Sequence, residues 1–225
     1  MIDDVAIIIP AYSEGSVIRE NLEGVCAAFK HVVCVNDGSP DNTREEAEKT
    51  RAVVINHTLN LGQGAAIQTG IEYALTLPVE YFCTFDADGQ HSLEDVSAML
   101  DTIKHERVDI VIGSRFKGRV ENISPLKKRI LKCAVWFSNA TSGLKLTDAH
   151  NGLRVFNRHV AETIDLQETG YQHASEFTEK IAKNAYTYVE VPNTIVYTDY
   201  SRAKGQSMLN AVNIGIDTLI GKLVK

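Results

Sequence analysis

An α/β chain, with a mostly parallel central sheet covered by helices on both faces, is what this sequence predicts, on three observations. Five short apolar runs, Val5 to Ile9, Val32 to Val35, Ala52 to Asn56, Tyr81 to Phe85 and Asp109 to Ile112, are separated by segments of helical character. The runs are continuous rather than alternating, as strands buried on both faces are. Their ends turn abruptly polar, which places Pro10, Asp37, Asp86 and Arg115 at the carboxyl edge, where such sheets bind ligands.

Each element has a local reason. Pro10 stops the first run, and Ala11 to Gly15 form a polar turn before a helical pattern at Val17, Leu22, Val25 and Phe29. The second run enters Asn36-Asp37-Gly38-Ser39-Pro40, a turn sequence, ahead of an acid-rich helix from Arg44 to Thr50. After the third run, Gly62 and Gly64 open a helix to about Leu75. Their G-x-G lacks the third small residue of a dinucleotide fingerprint, which falls at Ile67. These glycines serve close packing at a helix start, or a helix start that faces a ligand. A helix follows over Leu93 to Lys104.

Beyond Arg119 the pattern changes. Leu126, Ile130, Val135 and Phe137, interleaved with Lys127, Lys128, Arg129 and Lys132, predict a basic amphipathic helix. A polar loop, Asp148 to Arg154, enters the short strand Val155-Phe156. Another helix carries Glu176, Phe177 and Ile181. Tyr186 to Val191 and Thr194 to Tyr197 are strand-like, with Pro192 marking an edge or a break. Met208, Leu209, Val212, Ile216, Leu219, Ile220 and Leu223 form one stripe of a C-terminal amphipathic helix that needs an apolar partner.

Composition narrows the function. With 44% hydrophobic and 23% charged residues the chain is globular. Its four cysteines lack zinc-ligand spacing and read as reduced core residues. No segment has the apolar length of a membrane span or of a signal sequence, so a cytoplasmic chain, soluble or peripheral, is expected. A net charge of −6 excludes general nucleic-acid binding. The charge is uneven, however: Arg115 to Lys132 holds seven basic residues against the single acid Glu121, a patch suited to an anion.

The chemistry concentrates at Asp86-Ala87-Asp88-Gly89-Gln90. Carboxylates one residue apart project to the same side of an extended backbone, and Gln90 repeats the spacing with a carbonyl oxygen. Such a set suits Mg²⁺ or Mn²⁺ with coordination positions left for phosphate oxygens; an isolated D-x-D also serves as an Asx-rich turn.

Seven motifs in order, I-P-A-Y-S-E, V-N-D-G-S-P-D-N-T, N-L-G-Q-G-A-A, D-A-D-G-Q, G-S-R, D-A-H-N-G-L-R and R-A-K-G-Q-S, span nearly the whole chain. Together they resemble the inverting glycosyltransferase family 2, in its dolichol-phosphate mannose synthase-like branch. The resemblance implies a GT-A fold over residues 1–225, with a nucleotide-sugar half (1–115), an acceptor-side half (116–206) and the amphipathic helix (207–225). It implies a nucleotide-sugar donor, UDP favoured over GDP, and Mn²⁺ or Mg²⁺ held by Asp88 and Gln90 with Asp86. Pro10, Ala11, Tyr12, Glu14, Asp37, Gly62, Gly64, Asp86 and Ala87 would line the donor site, and Arg115, Arg202 and Lys204 would contact phosphates.

The acceptor sets the mechanism. A polyprenyl phosphate is already ionised, and Lys128, Arg129 and Lys132 would cradle it, with His150 and Asn151 nearby. A glycan hydroxyl needs a base, for which Glu176 and Asp148 are the candidates. Asparagine would be usual where Ser13 stands, and a serine expected near Lys132 and Cys133 has no certain counterpart. The C-terminal helix is expected at the inner membrane face, on a small membrane protein, on a second copy in a homo-oligomer, or against its own chain. A nucleotidyltransferase is disfavoured, since I-I-I-P-A-Y-S-E lacks that class's glycine-rich loop.

Overall fold

The computed structural model describes residues 1–121, 125–149, 151–170 and 172–196. Along the chain run β1 (Ile2–Ala11), α1 (Ile18–Ala28), β2 (Phe29–Asn36), α2 (Thr43–Ala47), β3 (Val53–Asn56), α3 (Gln63–Ala74) and β4 (Tyr81–Thr84). They are followed by α4 (Leu93–Glu106), β5 (Ile110–Glu121), α5 (Pro125–Ser142), β6 (Arg154–Asn157), α6 (Arg158–Thr163), α7 (His173–Lys183) and β7 (Tyr188–Val196).

The strands form one seven-stranded sheet in the order β3-β2-β1-β4-β6-β5-β7. All pairings are parallel except those of β6, which runs antiparallel to both β4 and β5. The chain winds outward from β1 to β3 and then returns to β4 on the other side of β1. The carboxyl ends of β1 and β4 therefore diverge at a topological switch point, the place where such sheets open a crevice.

Alternation along β1 shows both faces covered. Val5, Ile7 and Ile9 pack with Leu22 of α1 and Met99 and Leu100 of α4; Ala6 and Ile8 pack with Ile67 and Ile71 of α3 and Phe177 of α7. Helix α3 lies so close that a Cβ on Gly70 would sit 2.3 Å from Ile8 Cγ2. Caps fix the ends of α4. Ser92 accepts from the Glu94 amide at 3.1 Å, Glu94 and Asp95 sit in the first turn, and Arg107 closes the helix at φ 54°.

Three elements depart from expectation. β5 continues to Glu121, well past Ile112, with an irregular register between Ser114 and Arg119 that throws Arg115 out of the ladder. β7 runs unbroken through Pro192, which edge position allows because the missing N–H faces no further strand. The short α6 has no apolar periodicity and is set up by Asn157, whose side chain accepts from the Val160 amide. Residues 197–225, with the expected C-terminal helix, lie outside the described residues.

Candidate active site

The crevice edge is built from four loops. After β1, Pro10 and Ala11 lead into Tyr12, which is 43% exposed, and Glu14, which is buried; the Glu14 carbonyl accepts from Val17 and Ile18 to start α1. Ser13 adopts φ 54°, a left-handed conformation that asparagine enters more readily.

After β2, Asp37 is 3% exposed and turned into the protein. Its Oδ1 meets His57 Nδ1 at 2.7 Å and accepts from the Leu61 amide at 2.8 Å, while Oδ2 accepts from the Gly62 amide at 2.7 Å. His57 continues to Thr69 Oγ1 at 3.0 Å, so one carboxylate ties β2, the loop of residues 57–62 and α3 together.

At the start of α3 the two glycines make room for the chain itself. Gly62 has φ 97°, a Cβ there would be 2.2 Å from Thr169 O, and one on Gly64 would be 2.0 Å from Glu168 O. The Gly64 amide donates to Thr169 O at 2.8 Å. Of the two expected uses of these glycines, close packing is the one that the geometry displays.

After β4 come Asp86 and Asp88, both partly exposed. His91 Nε2 lies 2.9 Å from Asp86 Oδ2, and Gln63 Nε2 approaches Oδ1 at 3.4 Å. Gly152, in the loop before β6, closes over this carboxylate: a Cβ on it would be 2.5 Å from Oδ2. Burial would raise the Asp86 pKa, but the hydrogen bond and charge of His91, with Arg154 nearby, hold it below the usual carboxylate value. Asp88 goes the other way, pushed up to about 6 by burial and by the neighbouring Asp86 charge. Its partner is Gln90, whose amide N donates to Oδ1 at 3.1 Å and whose side chain donates to Oδ2. Two crowded carboxylates of opposite shift favour a cation between them. Among the described residues, no three histidine, cysteine or carboxylate side chains form a metal-binding group. Asp86, Asp88 and Gln90 supply hard oxygen donors, the type that suits a cation completed by ligand oxygens.

The last part of the edge joins Arg115 of β5, expected at the donor phosphates, to Asp148, a candidate base, in the loop before β6. Arg115 is 8% exposed, and both its backbone N (3.1 Å) and its Nε (2.6 Å) donate to Asp148 Oδ2. Asp148 is 1% exposed, and Glu190 Oε1 accepts the Thr147 and Asp148 amides behind it. Asn151 is buried, donates to Asp148 and Asn193 and accepts from Leu153 N, and so braces the loop. Glu176 is likewise engaged. Its oxygens accept the Gln167 amide at 2.9 Å and the Glu168 amide at 2.9 Å, with Lys180 at 3.4 Å. On α5, Lys128, Arg129 and Lys132 are exposed, and Lys132 Nζ lies 5.9 Å from the Phe116 ring centroid. His150, Arg202 and Lys204 lie outside the described residues.

His91, Gly152, Arg154 and His173 gather around Asp86, and of these only Gly152 and Arg154 fall within a motif singled out in the sequence, D-A-H-N-G-L-R, which gave them no role of their own.

Residues 6–165 match the family described as glycosyl transferase family 2. The chain is 30% identical over 243 residues to the UDP-N-acetylglucosamine–dolichyl-phosphate N-acetylglucosaminyltransferase of Methanococcus voltae, covering 97% of this chain and 96% of that protein. It is 33% identical over 226 residues to the polyprenol monophosphomannose synthase of Mycolicibacterium smegmatis, covering 92% and 82%. Among solved structures, Mycobacterium tuberculosis glucosyl-3-phosphoglycerate synthase with Mn²⁺, uridine diphosphate and phosphoglyceric acid superposes with a TM-score of 0.64 over 84% of this chain and 68% of that one. At 12% identity, this likeness concerns the fold alone.

Proposed function

This chain belongs to glycosyl transferase family 2, and from that premise we propose that it moves a hexose from a nucleotide-diphosphate sugar to a polyprenyl phosphate, inverting the anomeric carbon. The relatives whose names carry dolichyl and polyprenol phosphates, matched over more than nine-tenths of this chain, support the acceptor class.

One observation carries the choice between acceptors. Glu176 and Asp148, the two carboxylates placed by sequence to take a hydroxyl proton, are both committed within the protein, one to loop amides and the other to Arg115. A phosphate acceptor needs no such base, because its oxygen is already ionised. That oxygen forms the new bond to the anomeric carbon, the bond from that carbon to the donor's β-phosphate breaks, and the nucleoside diphosphate leaves with both electrons.

In this reading Tyr12, Glu14 and the end of β1 face the nucleotide, and the amide-bound Asp37 shapes the wall of that pocket. Asp88 and Gln90, with Asp86, would hold Mg²⁺ or Mn²⁺. Such an ion supplies neutralisation of the diphosphate charge as it leaves. Arg115, fixed by Asp148, adds a cation at the same edge.

The acceptor side suits a lipid. Helix α5 exposes Trp136 (73%) and Leu126 (53%) beside Lys128, Arg129 and Lys132, an arrangement for the interface of an anionic membrane. Among the described residues no helix is long and apolar enough to cross a membrane. We place the protein at the inner membrane face.

The test is transfer of labelled sugar from UDP- and GDP-hexoses to farnesyl phosphate. Label in an organic-extractable, acid-labile product is expected; label that moves only to a sugar hydroxyl would contradict the proposal.

A further inference from the structure

Arg154 has no role in the account above, yet its setting is costly. It opens β6, opposite Thr84 of β4 and Ile112 of β5, and is only 3% exposed. Its guanidinium carbon lies 4.4 Å from the centroid of the Phe177 ring, within cation–π range. Asp86 on one side and Asp148 on the other both favour its charge.

None of its guanidinium N–H groups is hydrogen-bonded to a described residue. The fully covered side-chain polar atoms without a partner, among the described residues, are His91 Nδ1 and Asn193 Nδ2. The Arg154 nitrogens are not among them, so they keep the residue's small remaining exposure, and Arg154 itself stands opposite Thr84, the last residue of β4, at the crevice edge. Burial lowers the Arg154 pKa only to about 10, so the group stays charged at neutral pH, and the same charge, added to burial, helps to depress His173 to about 4. A buried guanidinium without hydrogen bonds is unfavourable unless an anion completes it.

We propose that Arg154 is a substrate-phosphate ligand, its planar N–H edge donating to a phosphate oxygen that enters the crevice beside Asp86. The inference rests on the reading of glycosyl transfer to a phosphate. The two phosphates of that reaction, the donor's β-phosphate and the acceptor's, share this chemistry. The planar guanidinium against the Phe177 ring presents a fork of donors that an ammonium cannot copy.

Arg154→Lys separates this role from mere neutralisation of Asp86 and Asp148, because it keeps the charge and loses the fork. Affinity for UDP and for UMP, each with Mn²⁺, and KM for farnesyl phosphate are measured in both proteins. A loss of about tenfold or more in UDP affinity with UMP unchanged assigns the donor β-phosphate. A similar rise in KM for farnesyl phosphate with UDP unchanged assigns the acceptor. All values within twofold of wild type would overturn the role of Arg154 alone, whereas wild-type protein that binds neither ligand would remove the underlying reading as well. Should the variant not fold, arginine modification by phenylglyoxal, located by mass spectrometry in wild-type protein, decides. Protection of Arg154 by UDP–Mn²⁺ or by farnesyl phosphate supports the assignment, and equal modification with and without them overturns it.

Discussion

The ends of β2 and β4 carry the same sequence signature, an apolar strand running into aspartate and glycine, and fold to opposite purposes. Asp37 is filled by its own protein: a histidine and two backbone amides occupy its oxygens, and it is 3% exposed. Asp86 and Asp88 are partly exposed and held by weaker ties, a histidine and a long contact to Gln63 for one and Gln90 alone for the other, with Asp88 raised to about 6 by burial and by its neighbour's charge. A carboxylate whose hydrogen bonds are complete stabilises the backbone around it. One that is crowded against another carboxylate costs stability and is poised for a ligand.

Substitutions should separate the two ends. Asp88→Asn is expected to lower turnover by about a hundredfold or more while leaving the thermal midpoint unchanged or higher, since it removes a like-charge repulsion. Initial rates and a melting curve on the same sample check both halves. Asp37→Ala should do the reverse in kind, costing about 3–5 kcal/mol in denaturant unfolding by orphaning His57 and two amides. If Asp37→Ala proves stable but inactive, the contrast drawn here is inverted.

A third expectation concerns acid. His173 is buried and neutral, with its pKa lowered from 6.5 to about 4. The unfolded chain therefore takes up a proton below pH 6.5 that the folded chain refuses until about 4. Stability is fully present above 6.5 and falls by about 3 kcal/mol as the pH drops through that window. Unfolding curves from pH 7 to 4 on wild type and His173→Asn should converge as the pH falls. The smallest effect expected is that of Gly152→Ala, whose Cβ would meet Asp86 Oδ2 at 2.5 Å. Displacing that carboxylate should reduce turnover about tenfold at a stability cost near 1 kcal/mol, read from the same two assays.

Much of this was legible in the sequence because it is local. Continuous apolar runs marked β1 to β4, and the turn residues after them marked the crevice edge. The spacing of Asp86, Asp88 and Gln90 marked the Asp86–Asp88 end. What was not legible depends on distant pairing. Nothing near Asp37 announces His57, 20 residues on, or the amides of Leu61 and Gly62. Gly152 and Arg154 reach Asp86 only because β6 returns antiparallel beside β4. Pro192 read as an edge or a break, and only the strand order, with β7 outermost, shows which. Glu176 was a candidate base through the family resemblance, and its engagement by the Gln167 and Glu168 amides is a contact across a loop.

The central claim is that the Asp86–Asp88 end binds ligand through a cation while the Asp37 end holds the fold. Calorimetric titration of UDP and GDP into wild-type protein and Asp88→Asn, each with and without Mn²⁺, tests it most directly. The account predicts nucleoside diphosphate binding that requires Mn²⁺ in wild type and is lost in Asp88→Asn. Binding of equal strength without the metal, or undiminished in the variant, would contradict it.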